Sequence, residues 1–130
     1  MKTDIVIVNW NSGDYLFKCI QSVFTERNEP LIGEVFIIDN NSSDDSIVQL
    51  ANYNKQRIIK NCQMLGFAKA CNQGFKLTTS AYVLLLNPDT QLLDTTLQDC
   101  TAFMEANPEI DILGCRLLND AGKTSPSCAR

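Results

Sequence analysis

Short apolar runs alternate along this chain with stretches whose apolar residues recur three and four positions apart. The runs are Asp4-Ile5-Val6-Ile7-Val8, Val35 to Ile38, Arg57-Ile58-Ile59-Lys60 and Tyr82 to Leu86. Each is too short for a stable helix and aliphatic enough for a buried strand. Between the first two, Leu16, Cys19, Ile20, Val23 and Phe24 make one stripe, which predicts a helix lying on a sheet with Ser12 as its N-cap. Ser43-Asp44-Asp45 favours the start of a second helix carrying Ile47, Val48, Leu50 and Ala51. A third helix is predicted around Phe67 to Leu77, after the turn Asn61 to Gly66. A fourth runs from about Thr95 to Ala106, with Leu97, Cys100, Phe103 and Met104 on or near its apolar side, and Asn107-Pro108 stops it. Ile110 to Leu118 reads as a fifth strand before a turn at Asn119-Asp120-Ala121-Gly122. Strands alternating with helices in this way imply βαβ units and an α/β fold built on a mostly parallel sheet with helices on both faces.

Two of the predicted strands end in acid. Val35 to Ile38 meets Asp39-Asn40-Asn41-Ser42-Ser43-Asp44-Asp45, and Tyr82 to Leu86 meets Asn87-Pro88-Asp89. In a parallel sheet both carboxylates stand at the carboxyl edge, where open α/β sheets bind their ligands. A 3-2-1-4 strand order would put the topological switch beside the first strand, so a ligand is expected over the ends of strands one, two and four.

Composition narrows the chemistry. The 130 residues, 45% hydrophobic, suit one domain with a real core. A formal charge of −4 without any Lys/Arg cluster argues against nucleic-acid binding. No apolar run approaches the ~20 residues of a membrane-spanning helix. Met1-Lys2-Thr3-Asp4 leads straight into a strand, so no signal peptide and a cytoplasmic setting are expected. The six cysteines form no C-x-x-C pair and are expected to be reduced, unmetallated and mostly buried. Histidine is absent, which removes Ser-His-Asp and Cys-His catalysis and leaves carboxylates, amides and a hard metal.

Familiar nucleotide motifs are missing. The first strand is followed by Asn9-Trp10-Asn11-Ser12-Gly13 rather than G-x-G-x-x-G, and no Walker A loop occurs. A phosphate-accepting receiver domain shares the rhythm but needs an acidic pair where this chain has asparagines.

Four ordered segments resemble family-2 glycosyltransferases of the GT-A fold, closest in flavour to rhamnosyltransferase-like members. They are Ile5 to Asn11, Ile38 to Ser46, Asn61 through Gly66-Phe67-Ala68-Lys69-Ala70-Cys71-Asn72-Gln73-Gly74, and Leu85-Leu86-Asn87-Pro88-Asp89. The resemblance implies a nucleoside diphosphate sugar donor, UDP- or TDP-linked, and transfer to a glycan or lipid-linked acceptor in cell-surface polysaccharide synthesis, compatible with peripheral membrane association. It places Asp39 at the nucleotide base or ribose, Asn9 and Asn11 beside the same pocket, and Gly66, Asn72 and Gly74 along the nucleotide. Asp39 equally suits a turn or capping carboxylate, Gly66 a turn glycine and Asn72 a surface amide. Asp89 matches the last aspartate of the family's D-x-D element, which binds the Mg2+ or Mn2+ bridging the donor diphosphate. Asn87 stands where many relatives have Asp, which lowers the charge available to a cation. Trp10 and Phe67 could stack on a base, although buried packing is the expected fate of each.

The family's acceptor base comes from a more C-terminal segment, and Asp99, Glu105, Glu109, Asp111 and Asp120 are poor substitutes on helix faces or a turn. The chain therefore reads as the donor-binding N-terminal portion of a longer enzyme. The competing reading is a nucleotide-sugar-binding or interaction domain that keeps the fold without the chemistry.

Overall fold

The computed structural model describes residues 1–125. Four parallel strands form the main sheet: β1 (Thr3–Asn9), β2 (Ile32–Asp39), β3 (Gln56–Lys60) and β4 (Tyr82–Leu85), in the spatial order β3-β2-β1-β4. Three helices accompany them, α1 (Asp14–Val23), α2 (Phe67–Leu77) and α3 (Thr96–Ala106). The strand order is the one the sequence implies, and β1 is central because its seven residues are all buried.

Alternation along β1 and β2 divides the core. Ile5, Ile7, Val35 and Ile37 face Leu16, Cys19, Ile20 and Val23 of α1, joined by Leu97 of α3, while Val6, Val8, Phe36 and Ile38 face Ala70 and Cys71 of α2. Each fully buried aliphatic side chain in these layers contributes about 1.5–3 kcal/mol. Gly74 belongs to this packing, because a Cβ there would collide with Val6. Gly74 therefore brings α2 close to the sheet. On α3 the inward residues are Leu97 and Thr101, with Phe103 46% exposed, so the expected stripe is rotated. Thr101 tolerates burial because its hydroxyl donates to the Leu97 carbonyl at 2.8 Å.

A carboxylate fastens the amino edge. Asp4, 1% exposed, accepts from the Glu34 N–H (2.8 Å), the Ser80 hydroxyl (2.7 Å), the Thr79 N–H (2.8 Å) and the Ser80 N–H (3.0 Å). Burial pushes its pKa up, but the Ser80 hydroxyl and the three backbone donors outweigh that and hold it below the ordinary carboxylate value. Gly33 makes room for this cluster, since a Cβ at that position would strike Asp4 and Ser80.

Three expected elements differ. Residues 43–51 form bends and turns rather than a helix. Their N–H groups go elsewhere: those of Ser43 and Asp44 donate to Asn11 Oδ1, and that of Ser46 to Asp44 Oδ1. Side chains thus outcompete the helical ladder. Ser12 does not cap α1, which is preceded by Gly13 with no side-chain cap. The expected strand from Ile110 is irregular through residue 116, and only Leu117–Leu118 (β5) pairs, antiparallel, with Thr124–Ser125 (β6). Gly114 interrupts that stretch, and among the described residues no strand of the main sheet offers it a partner. The turn at residues 119–122 forms as expected, with Gly122 at φ 76° and the Asn119 N–H donating to the Lys123 carbonyl at 2.8 Å.

Candidate functional site

The loops after β1 and β2 are knitted into one platform by amides. Asn9, fully buried, donates through Nδ2 to Asp39 Oδ1 (3.0 Å), Ser46 Oγ (2.9 Å) and Ser42 Oγ (3.2 Å). Asp39, 5% exposed, also accepts from the Ser42 hydroxyl (2.6 Å) and N–H (3.2 Å). Asn11, at φ 49°, receives the Ser43 N–H on Oδ1 at 2.8 Å and donates its own N–H to Ser42 Oγ at 2.9 Å. Asp44 reaches back to accept the Gly13 N–H at 2.9 Å and the Ser46 hydroxyl at 2.6 Å. The Ser46 hydroxyl above all, with the Gly13 N–H, holds the Asp44 carboxyl below its ordinary pKa.

A second amide cluster adds α2. Asn40 donates to the Gly66 carbonyl (3.1 Å) and accepts from Asn61 (3.1 Å), which exchanges a pair of 2.8 Å bonds with Gln73. Gly66 sits at φ 83° just before α2, a conformation a side chain would strain.

Above this platform lies a cleft of about 970 Å³. Its floor includes Val8 and Asn40; Trp10, Asn11 and Gly13 form one wall with Asp14, Tyr15 and Lys18 of α1; Met64 and Phe67 form another, and Asn87-Pro88-Asp89 closes the third side. The last is a turn closed by the Thr90 N–H (3.2 Å) and hydroxyl (2.7 Å) on the Asn87 carbonyl, which holds Asp89 out from the sheet. Cys19 backs that turn, its thiol 3.7 Å from the Asn87 carbonyl. Burial, then the Asp89 charge, push this thiol up to about 12, so it is a packing group and no nucleophile.

Of the sequence-predicted residues, Asn11 and Asp89 line the cleft. Asn9 and Asp39 lie buried beneath it as supports of the loops, Gly66 marks the start of α2, and Asn72 is exposed on α2 outside the lining. Trp10 and Phe67 are corrected: they are 53% and 56% exposed and wall the cleft, because both stand past the carboxyl edge, above the core. Tyr15, Lys18 and Asp44 are cleft residues that sequence reasoning missed. Lys18 is the one cation in a lining that also holds Asp14, Asp44 and Asp89. Its legible signal is a lysine in the second turn of the helix that leaves the central strand.

The cation implied by the D-x-D element can be judged by its donors. Among the described residues no group of three or more Cys, Asp or Glu side chains could hold a metal unaided. Asp89 is exposed and, among the described residues, accepts no hydrogen bond and joins no ion pair. A free carboxylate beside the Asn87 amide fits one face of a hard cation whose other ligands are phosphate oxygens and water.

A four-stranded parallel sheet layered between helices, with a cleft over its switch point, defines an open α/β protein with its cleft where such sheets bind ligands. The sequence profile of Glycosyl transferase family 2 matches residues 4–126, and the chain belongs to that family. None of the curated proteins matches it. Among solved structures, S. aureus TarS 1-349 in complex with UDP-GlcNAc superposes with a TM-score of 0.71 at 23% identity, over 83% of this chain and 32% of that one. TarS 1-349 in complex with UDP gives 0.67 at 23% identity, over 83% and 33%. Longer TarS gives 0.65 at 23% identity, over 82% and 20%. The chain thus spans about a third of the TarS 1-349 structures, which share its GT-A fold.

Proposed function

We propose that this chain is the donor-binding portion of a glycosyltransferase that moves a sugar from a nucleoside diphosphate sugar to an acceptor hydroxyl. The observation that carries the reading is the cleft at the carboxyl ends of β1, β2 and β4, into which Asp89 projects without a protein partner. Its volume, about 970 Å³, is that of a nucleotide-sized site. UDP and UDP-GlcNAc in the TarS complexes, bound by a protein of the same fold, favour a uridine diphosphate donor here. A TDP-linked sugar, such as a rhamnosyl donor, is the alternative, and a glycan or lipid-linked acceptor in cell-surface polysaccharide synthesis completes the proposal at its finer level.

The roles follow from position. Trp10 and Phe67 present aromatic faces for the base, and Asn9 with Asp39 keeps the floor beneath the nucleoside rigid. Lys18 and Asn11 face the diphosphate. Asp89, with Asn87 beside it, would hold Mg2+ or Mn2+. When bound, that cation stabilises negative charge on the departing diphosphate. Three carboxylates around a dianionic ligand would repel it, so Lys18 and the cation are what make the cleft receptive.

Calorimetric titration of the 130-residue chain with UDP, UDP-GlcNAc and a TDP-sugar, with and without Mn2+, tests the reading. Micromolar binding of at least one ligand, tightened by the cation, is expected. Absence of heat for all of them in the presence of Mn2+ would overturn it.

A further inference from the structure

The segment after α3 makes little polar contact with the body among the described residues. Residues 110–116 have no regular structure, and Ile112 is 89% exposed. Among the described residues, the only hydrogen-bond-range contact that residues 111–116 make with the rest of the chain joins two thiols, Cys100 Sγ on α3 and Cys115 Sγ, 3.3 Å apart. Fifteen residues separate them, so this proximity comes from the way the chain folds back and from no sequence motif. The other described cysteines differ: Cys19 and Cys71 are buried, and Cys62 is exposed with no such thiol neighbour.

We propose that Cys100 and Cys115 are a reversible modification site, a disulfide formed by a hydroperoxide and reopened by a dithiol, which fastens the segment after α3 onto that helix. The approach needed is small, because a disulfide requires about 2 Å between the sulfurs and these stand 3.3 Å apart. Cys115 is the exposed member and meets the oxidant first. Its thiolate attacks the terminal peroxide oxygen, giving a sulfenic acid and releasing alkoxide, or hydroxide for hydrogen peroxide, which is protonated to alcohol or water. The Cys100 sulfur then attacks the sulfenic sulfur, expelling water and closing the bond. Two thiols are oxidised by two electrons, and one hydroperoxide (R–O–O–H) is reduced to an alcohol, or to water for hydrogen peroxide, plus one water. Partial burial, then the neighbouring Cys115, push the Cys100 thiol up to about 11, which leaves Cys115 as the thiol that meets the oxidant first. The bond would close a loop from residue 100 to residue 115, enough to suppress opening of a segment with so few polar contacts to the body.

The test uses the folded chain with Cys128, which lies outside the described residues, replaced by serine. After limited hydrogen peroxide, non-reducing peptide mapping should show one cross-linked peptide containing Cys100 and Cys115, with loss of two hydrogens, reversed by dithiothreitol. Trypsin cleavage after Arg116 should slow about tenfold in the oxidised form, as opening becomes costlier. Cys115→Ser and Cys100→Ser should each abolish the cross-link and the protection, and urea-unfolded chain should lose the pairing preference. Oxidation that spreads over Cys62 and Cys115 as single-site adducts, without the cross-linked peptide, would overturn the proposal. So would a Cys100–Cys115 bond that leaves cleavage at Arg116 unchanged.

Discussion

Asn9 and Asp39 occupy paired positions at the ends of neighbouring parallel strands, and their side chains complete the pairing: Asn9 Nδ2 donates to Asp39 Oδ1 at 3.0 Å. The bond continues the ladder of β1 and β2 beyond the backbone and hands it to the loops, because the same Nδ2 reaches Ser42 and Ser46. Asn9→Ala removes the shared donor from three acceptors. It should cost about 1–2 kcal/mol, since buried hydrogen bonds are lost while Asp39 and Ser42 keep other donors. Urea denaturation should show a lower midpoint with an unchanged slope. A midpoint within error of wild type would mean the loops do not depend on this amide.

Asp89→Asn should leave stability within about 0.5 kcal/mol, because an exposed carboxylate without partners contributes little to folding. Its effect belongs to the ligand. Manganese should tighten UDP binding to wild type and fail to do so in the variant, as read by paired titrations with and without the cation. Retained cation enhancement would move the metal ligand elsewhere.

Lys18→Met keeps the aliphatic stem of the side chain and deletes the charge. UDP affinity should fall roughly tenfold, about 1.4 kcal/mol, as for one charge-assisted hydrogen bond, whereas uridine affinity should not change. An equal loss for UDP and uridine would show that Lys18 shapes the nucleoside end instead.

Asp4 predicts a pH dependence. Its pKa in the folded chain is lowered relative to the unfolded chain, so its stabilisation is present above the unfolded value and fades as pH falls through the folded one. Asp4→Asn should therefore lose most against wild type near neutrality, and the gap should narrow on acidification below about pH 4. Thermal melts of both chains across that range provide the check, and a constant gap would assign the effect to packing.

The four strands and three of the four expected helices were legible because their residues satisfy local and tertiary demands together: Leu16, Cys19, Ile20 and Val23 are a stripe in sequence and a buried face in space. The helix expected after Ser43 was illegible for the converse reason. Its backbone donors are claimed by Asn11, a residue more than thirty positions away, and no local pattern records that claim. Asp89 was readable from an apolar run cut by proline. Trp10 and Phe67 were misjudged because burial was inferred from residue type, whereas position past the sheet edge decides it. The proximity of Cys100 and Cys115 has no sequence signature, since the chain between them is irregular.

Strand β1 carries Asp4 near one end and Asn9 at the other, each gathering several hydrogen bonds from neighbouring segments. About 16 Å of aliphatic strand lies between them. Changes in the loops above Asn9 can therefore be accepted without loosening the clasp around Asp4, and the reverse. A single strand thus ties the scaffold at both ends through two separate polar clusters, so the loops beyond its carboxyl end can diversify as long as the amide that anchors them is kept.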